Sequence, residues 1–159
     1  MTVLTVILIA LFLTIMVLVS KIQGTARVVN YAGLVRGKTQ RIIKLEDAKE
    51  PQDEMIESVA SFIEGLRYGS DELNLVRLDD HAFQNKMKEL DEHFQKLQKE
   101  IRQVRKEGYE NTEIIEKSEV FFVICDEATG LAEKYSQKKA TSLSLLEKYI
   151  TADIVVLML

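Results

Sequence analysis

Hydrophobic and polar positions divide the chain into one uncharged run and a series of amphipathic stretches. The run is Val3 to Val19, VLTVILIALFLTIMVLV, apolar apart from two threonines. As a helix it rises about 26 Å, close to the ~30 Å hydrocarbon core of a bilayer. Nothing basic precedes it and no small-residue cleavage site follows, so it reads as an uncleaved anchor rather than a signal peptide. The first helix is expected to continue from the anchor to about Ala48, ahead of Pro51, which cannot continue a helical turn. A second helix starts within Gln52 to Glu54, carries Met55, Ile56, Val59, Phe62, Ile63 and Leu66 at helical spacing, and stops near Gly69.

Ser70 to Leu78 is too apolar for a free loop and is expected to cover one end of the bundle, with a helical turn of its own. Asp79 or Asp80 caps a third helix. There Phe83, Met87, Leu90, Phe94, Leu97, Ile101 and Val104 alternate steps of four and three, a heptad seam. Gly108 ends it, and Asn111 or Thr112 caps a fourth helix. On the fourth helix Ile115, Ser118, Phe122, Cys125, Thr129, Ala132, Ser136, Leu143, Leu146 and Ile150 form the expected core stripe. The fold class is all-α: an antiparallel four-helix bundle whose first and last helices continue into membrane spans. The expected division is a transmembrane anchor over 1–20, an extracytoplasmic sensor bundle over 21–150, and the start of a truncated second transmembrane helix over 151–159, where Ile154 to Leu159 reads IVVLML.

Composition supports this. One Pro and seven Gly in 159 residues leave long helices uninterrupted. Cys125 is the single cysteine, which excludes an internal disulfide and Cys-rich metal patterns. Its apolar neighbours Phe121, Phe122 and Ile124 mark it as a buried small residue. The net charge of −4 is uninformative, but Lys21, Arg27, Arg36, Lys38, Arg41 and Lys44 precede any acid. No aromatic-interleaved reading motif accompanies these basic residues, so nucleic acid is not expected. An anionic ligand or membrane lipid fits their place better. Placing residues 21–150 outside the cell, in a multi-pass membrane protein, rests on the resemblance below more than on charge.

The informative residues lie on the first helix. Val28, Ala32, Val35, Thr39 and Ile42 form one stripe suited to the core, at about 100° per residue. Asn30, Gly33, Gly37, Gln40 and Lys44 form a second, polar stripe. Glycines four apart weaken a helix but let another backbone approach. That stripe, with Val29 beside it, is the expected seam of a homodimer. Arg36 lies at its edge, beside Gly33 and Gln40. Two Arg36 side chains meeting across a two-fold axis repel unless an anion sits between them, and guanidinium forks suit an oxyanion. The alternative is that Arg36 pairs with Glu or Asp of another helix.

The run Asn30-x-Ala32-Gly33-x-x-Arg36-x-x-Thr39-Gln40-Arg41 resembles the first-helix motif of nitrate/nitrite sensor kinases and of type IV pilus chemotaxis receptors. The resemblance implies a periplasmic four-helix bundle between two membrane helices, dimeric through the first helix. It also implies that Arg36 binds an anion from both subunits. Asn30, Gly33, Gly37 and Gln40 are the accompanying candidates. Gly37 and Lys38 depart from the Met-Leu or Met-Gln usual after the Arg, so the resemblance implies a small anionic or polar ligand rather than nitrate in particular.

His81 and His93 lack a partner at metal-ligand spacing and are expected to be solvated. The acids Glu89, Asp91, Glu92 and Glu100 alternate with lysines as on a solvated face. Phosphate loops, nucleophile elbows and paired catalytic carboxylates are missing from the pattern, so this segment is not read as an enzyme and no cofactor is called for. Two functions follow. In one, ligand at the seam shifts the fourth helix and carries a signal through the membrane. In the other, the bundle is a ligand-free dimerising stalk of a membrane receptor.

Overall fold

Each helix stops where its residues dictate. In the computed structural model, which describes residues 2–110 and 112–158, the elements are α1 (Thr2–Asp47), α2 (Asp53–Tyr68), α3 (His81–Glu107) and α4 (Ile114–Met158). After α1, the Lys49 N–H donates to the Glu46 carbonyl at 2.9 Å and Glu50 N–H to Leu45 at 2.8 Å. Lys49 takes φ of 61°, and Pro51 then prevents continuation. Gly69 and Gly108, at φ of 88° and 96°, end α2 and α3 as expected. The Asp80 carboxylate accepts from Phe83 N–H at 2.8 Å to cap α3, and the Thr112 hydroxyl accepts from Ile114 N–H at 3.0 Å. The other expected cap, Asn111, lies outside the described residues.

The connector is not helical. Ser70 and Leu75 exchange backbone hydrogen bonds of 2.9 and 2.8 Å around a tight turn with Asn74 at φ of 51°. Asn tolerates that left-handed geometry, and the Ser70 hydroxyl accepts from Leu73 N–H, so local polar bonding displaces the expected helical turn. Leu75 and Leu78 are buried by it, as their apolar character requires. Glycines make the docking possible: a Cβ at Gly24 would come within 3.0 Å of Val76, and one at Gly65 within 3.0 Å of Leu75.

The helices pack in a closed ring, α1 on α2, α2 on α3, α3 on α4 and α4 back on α1. Long-range pairs such as Thr25–Ser136 and Arg36–Asp126 show α1 and α4 to be antiparallel. The α1 stripe Val28, Ala32, Val35, Thr39 and Ile42 is buried, and so are all seven residues of the α3 seam. On α4 three residues of the expected stripe are buried and three are exposed. Ser118, Cys125 and Ala132 are buried, but their partners are Ile114, Phe121 and Ala128. Ile115 is 56% exposed, Phe122 36% and Leu146 36%. Adjacent apolar pairs, Ile114/Ile115 and Phe121/Phe122, satisfy two heptad frames, and packing on α3 selects the one shifted by a residue.

Two buried carboxylates secure the end where α1 and α3 finish. Glu46 is fully buried and accepts from Arg105 Nε at 3.0 Å and from Arg105 Nη2. Arg105 also reaches Asp53 at 2.7 Å. The hydrogen bond that Arg105 donates to Glu46 leads the forces that raise the Arg105 pKa. Glu100 was expected on a solvated face; instead it is buried, bonded to Lys117, and accepts from Glu113 N–H at 3.1 Å. The Lys117 hydrogen bond leads in holding the Glu100 carboxyl below its ordinary pKa. At the other end α1 and α4 leave the bundle together. Among the described residues α1 is the one helix long and apolar enough to cross a membrane. Its apolar segment is uncovered, with Phe12 61% exposed, unlike a buried core helix. Beside it α4 keeps Leu143, Ile150 and Ile154 half-buried but carries Glu147 and Lys148.

Candidate functional site

Both flanks of α1 are committed to neighbours, and the strip between them is open. On the α2 flank, Tyr31 meets Phe62 edge-on at 4.8 Å between ring centroids, and Lys38 Nζ lies 5.4 Å over the same Phe62 ring. On the α4 flank, the Arg36 guanidinium donates through Nη1 to Asp126 and lies 5.6 Å over the Phe122 ring. The aromatic face and the carboxylate together fix a side chain that would otherwise be mobile. The Arg36 and Asp126 side chains are 38% and 60% exposed, so the ion pair is a surface pair.

Between these flanks Gly33 and Gly37 point away from the core. A Cβ built at either meets nothing within 4 Å. Asn30, Gly37 and Lys44 are exposed, and Gly33 and Gln40 half-exposed, so the polar stripe faces outward as its spacing requires. Val29 belongs to the flank: it is half-buried against the core. Arg41 is exposed on the far side of the stripe from Arg36. Thr39 of the motif faces the core, 1% exposed, and its hydroxyl finds no partner.

The α4 side of this face was not read from the sequence. Phe122 and Asp126 stand beside Arg36, and Gly130 further along also has nothing within 4 Å of an added Cβ. The available signal was Gly130, a glycine within a helix that has no turn there. Of the other candidates, Cys125 is buried in the core, and burial pushes its thiol pKa up to about 12. His81 is exposed and His93 half-buried.

The outward stripe, the Arg36–Asp126 pair and the apolar start of α1 all belong to the α1–α4 helix pair. The family model described as the type IV pili methyl-accepting chemotaxis transducer N-terminal domain matches residues 17–114, well over half of the chain. The match runs from the end of the apolar segment through the motif helix to the start of α4. No curated protein and no solved structure matches. The domain so described is a receptor's sensing and signalling module rather than a catalytic one, which agrees with the pilus-receptor side of the resemblance in the motif. The chain therefore belongs to the PilJ family, the N-terminal domain of type IV pili methyl-accepting chemotaxis transducers.

Proposed function

We propose that the chain is the extracytoplasmic ligand-sensing part of a multi-pass membrane receptor. Residues 1–20 anchor it, 21–150 form the sensor, and 151–159 open a second membrane helix. Two copies meet along the outward α1 stripe, and a small anion bridges their Arg36 side chains, as in the nitrate sensors whose motif the helix resembles. The observation that carries this reading is the open Gly33/Gly37 strip beside Arg36, where an added Cβ at either glycine meets nothing within 4 Å among the described residues. Only Nη1 of Arg36 is engaged by Asp126, so Nε and Nη2 keep donors for a ligand. Asn30 and Gln40 supply neutral polar groups along the same stripe. α4 runs unbroken from Asp126 to Met158, so a ligand that draws Arg36 from Asp126 acts directly on the helix that leads toward the membrane.

The Arg36–Asp126 pair favours one competing reading, a ligand-free stalk in which Arg36 only ties α1 to α4. Thermal melting of the full chain in detergent, with nitrate, nitrite, sulfate or chloride at equal ionic strength, separates the two. The sensor reading expects at least one of these anions to raise the Tm of the wild type and not of Arg36→Ala. Identical melting in all four salts supports the stalk.

A further inference from the structure

The outer faces of α1 and α4 carry opposite charges that their own chain leaves apart. Arg27 and Arg41 of α1 lie two heptads apart, exposed, on the side of the outward stripe away from Arg36. Glu119 and Glu133 of α4 are likewise exposed and two heptads apart. None of the four enters an ion pair among the described residues. The helices themselves dictate this. From Lys21 to Leu45 α1 has no acid, so its cations cannot pair along their own helix, as Lys88 of α3 does with Glu92 one turn on. From Ile114 to Glu133 α4 has one cation, Lys117, and Glu100 and Glu113 hold it. α4 also carries an apolar frame that its own bundle does not use. Ile114 and Phe121 are buried in the core, while Ile115 and Phe122 stay 56% and 36% exposed. At 100° per residue Ile115, Phe122, Glu119 and Glu133 fall within about 60° of one another around α4. A helix with two apolar frames has two packing surfaces, and here the second has acids along it.

The charges also match in height. The Thr25–Ser136 and Arg36–Asp126 contacts fix the antiparallel register of α1 and α4. Counted from them at 1.5 Å per residue, Glu119 stands within about 3 Å of the height of Arg41, and Glu133 within about 3 Å of Arg27. Inside one chain these pairs do not meet. Arg36 faces its own α4, and Arg41 lies about 140° further around α1. Two copies anchored by α1 in one membrane are related by an axis parallel to the helices, which leaves every height unchanged. With the Gly33/Gly37 stripes of the two α1 helices at that axis, the partner's α4 comes to the Arg41 side of α1. Each cation then finds an acid at its own height.

We propose that α4 of one copy packs on α1 of the other, with Arg27 and Arg41 paired to the partner's Glu133 and Glu119, and the partner's Phe122 and Ile115 covered by the stripe between Gly37 and Lys44. The inference rests on the reading that two copies meet along α1. It adds that the helix leading to the membrane is itself part of the seam, so that each α4 touches the Arg36 helix of both copies. Two differently tagged full-length chains, one Arg41→Cys and one Glu119→Cys, are expressed together in membranes and treated with a short bismaleimide. The expected product is a mixed covalent dimer, with none when Lys99→Cys of exposed α3 replaces Glu119→Cys. Charge reversal gives the second measurement, by sedimentation of the full chain in detergent. Glu119→Arg and Arg41→Glu should each weaken dimerisation about tenfold, because each reverses two exposed pairs per dimer. The two changes in one chain should restore it. These residues are exposed, and unchanged circular dichroism would show the variants to be folded. Failure to form the mixed dimer overturns the α4 seam, as do reversals that change nothing or that their combination does not rescue. Self-cross-linking of Gly37→Cys beside any of those results leaves the α1 contact standing. Absence of every cross-link, that of Gly37→Cys included, overturns both.

Discussion

Arg36 of α1 donates to Asp126 of α4, so the residue proposed to bind ligand already holds a carboxylate on the helix proposed to carry the signal. Asp126 is thus an internal competitor for any anion. Asp126→Asn should tighten anion binding, and Arg36→Ala should abolish it. Because the pair is exposed, either change should alter stability by no more than about 1 kcal/mol. Isothermal titration with nitrate, and with whichever anion stabilises the wild type, checks the first effect and melting without anion the second. Normal binding by Arg36→Ala would assign it a structural role only.

Glu46 and Arg105 are a different kind of pair. Glu46 has no access to water, and Arg105 supplies two of its hydrogen bonds. Arg105→Ala leaves a buried charge uncompensated and should cost about 3–5 kcal/mol, read as a lower midpoint in urea unfolding. A loss below 1 kcal/mol would mean that water reaches Glu46.

Cys125 gives the chain a stability term at alkaline pH. Burial raises its thiol from 9.0 to about 12 in the folded state. The folded chain therefore binds the proton more tightly than the unfolded chain. The stability linked to this group is complete below about pH 9 and is lost as pH rises toward 12. Thiolate absorbance should be missing at pH 10 in the native protein and present after unfolding. Native thiolate at pH 10 would contradict the burial.

The legibility of these elements in the sequence varied for physical reasons. On α3, one heptad frame was available and every residue of it is buried. On α4, Ile114/Ile115 and Phe121/Phe122 allowed two frames, and a period alone cannot choose between them. The buried acid Glu100 was read as a surface acid because its partner, Lys117, comes from another helix, and the burial of Glu46 against Arg105 went unread for the same reason. The outward stripe of α1 was legible, since Asn30, Gly33, Gly37, Gln40 and Lys44 share a face at 100° per residue. Asp126 was not, because pairing it with Arg36 requires the α1–α4 register.

The membrane boundary has its own test. Glu147 and Lys148 lie on the part of α4 that runs beside the apolar segment of α1. Charges at hydrocarbon depth are costly, so this part of α4 should separate from α1 at the bilayer surface. Lys148→Cys should react with a membrane-impermeant maleimide in vesicles, and Phe12→Cys should not. Equal protection of both would place Lys148 inside the bilayer.

Oxidative cross-linking of Gly37→Cys in membranes tests the proposed α1 seam most directly. An added side chain at Gly37 meets nothing within 4 Å in its own chain, and the native Cys125 is buried and out of reach. The expected result is rapid formation of covalent dimer at Gly37→Cys and at Gly33→Cys, with none at Lys99→Cys on the exposed side of α3. Equal cross-linking at all three positions, or none at the glycines, would contradict a dimer built on the α1 stripe.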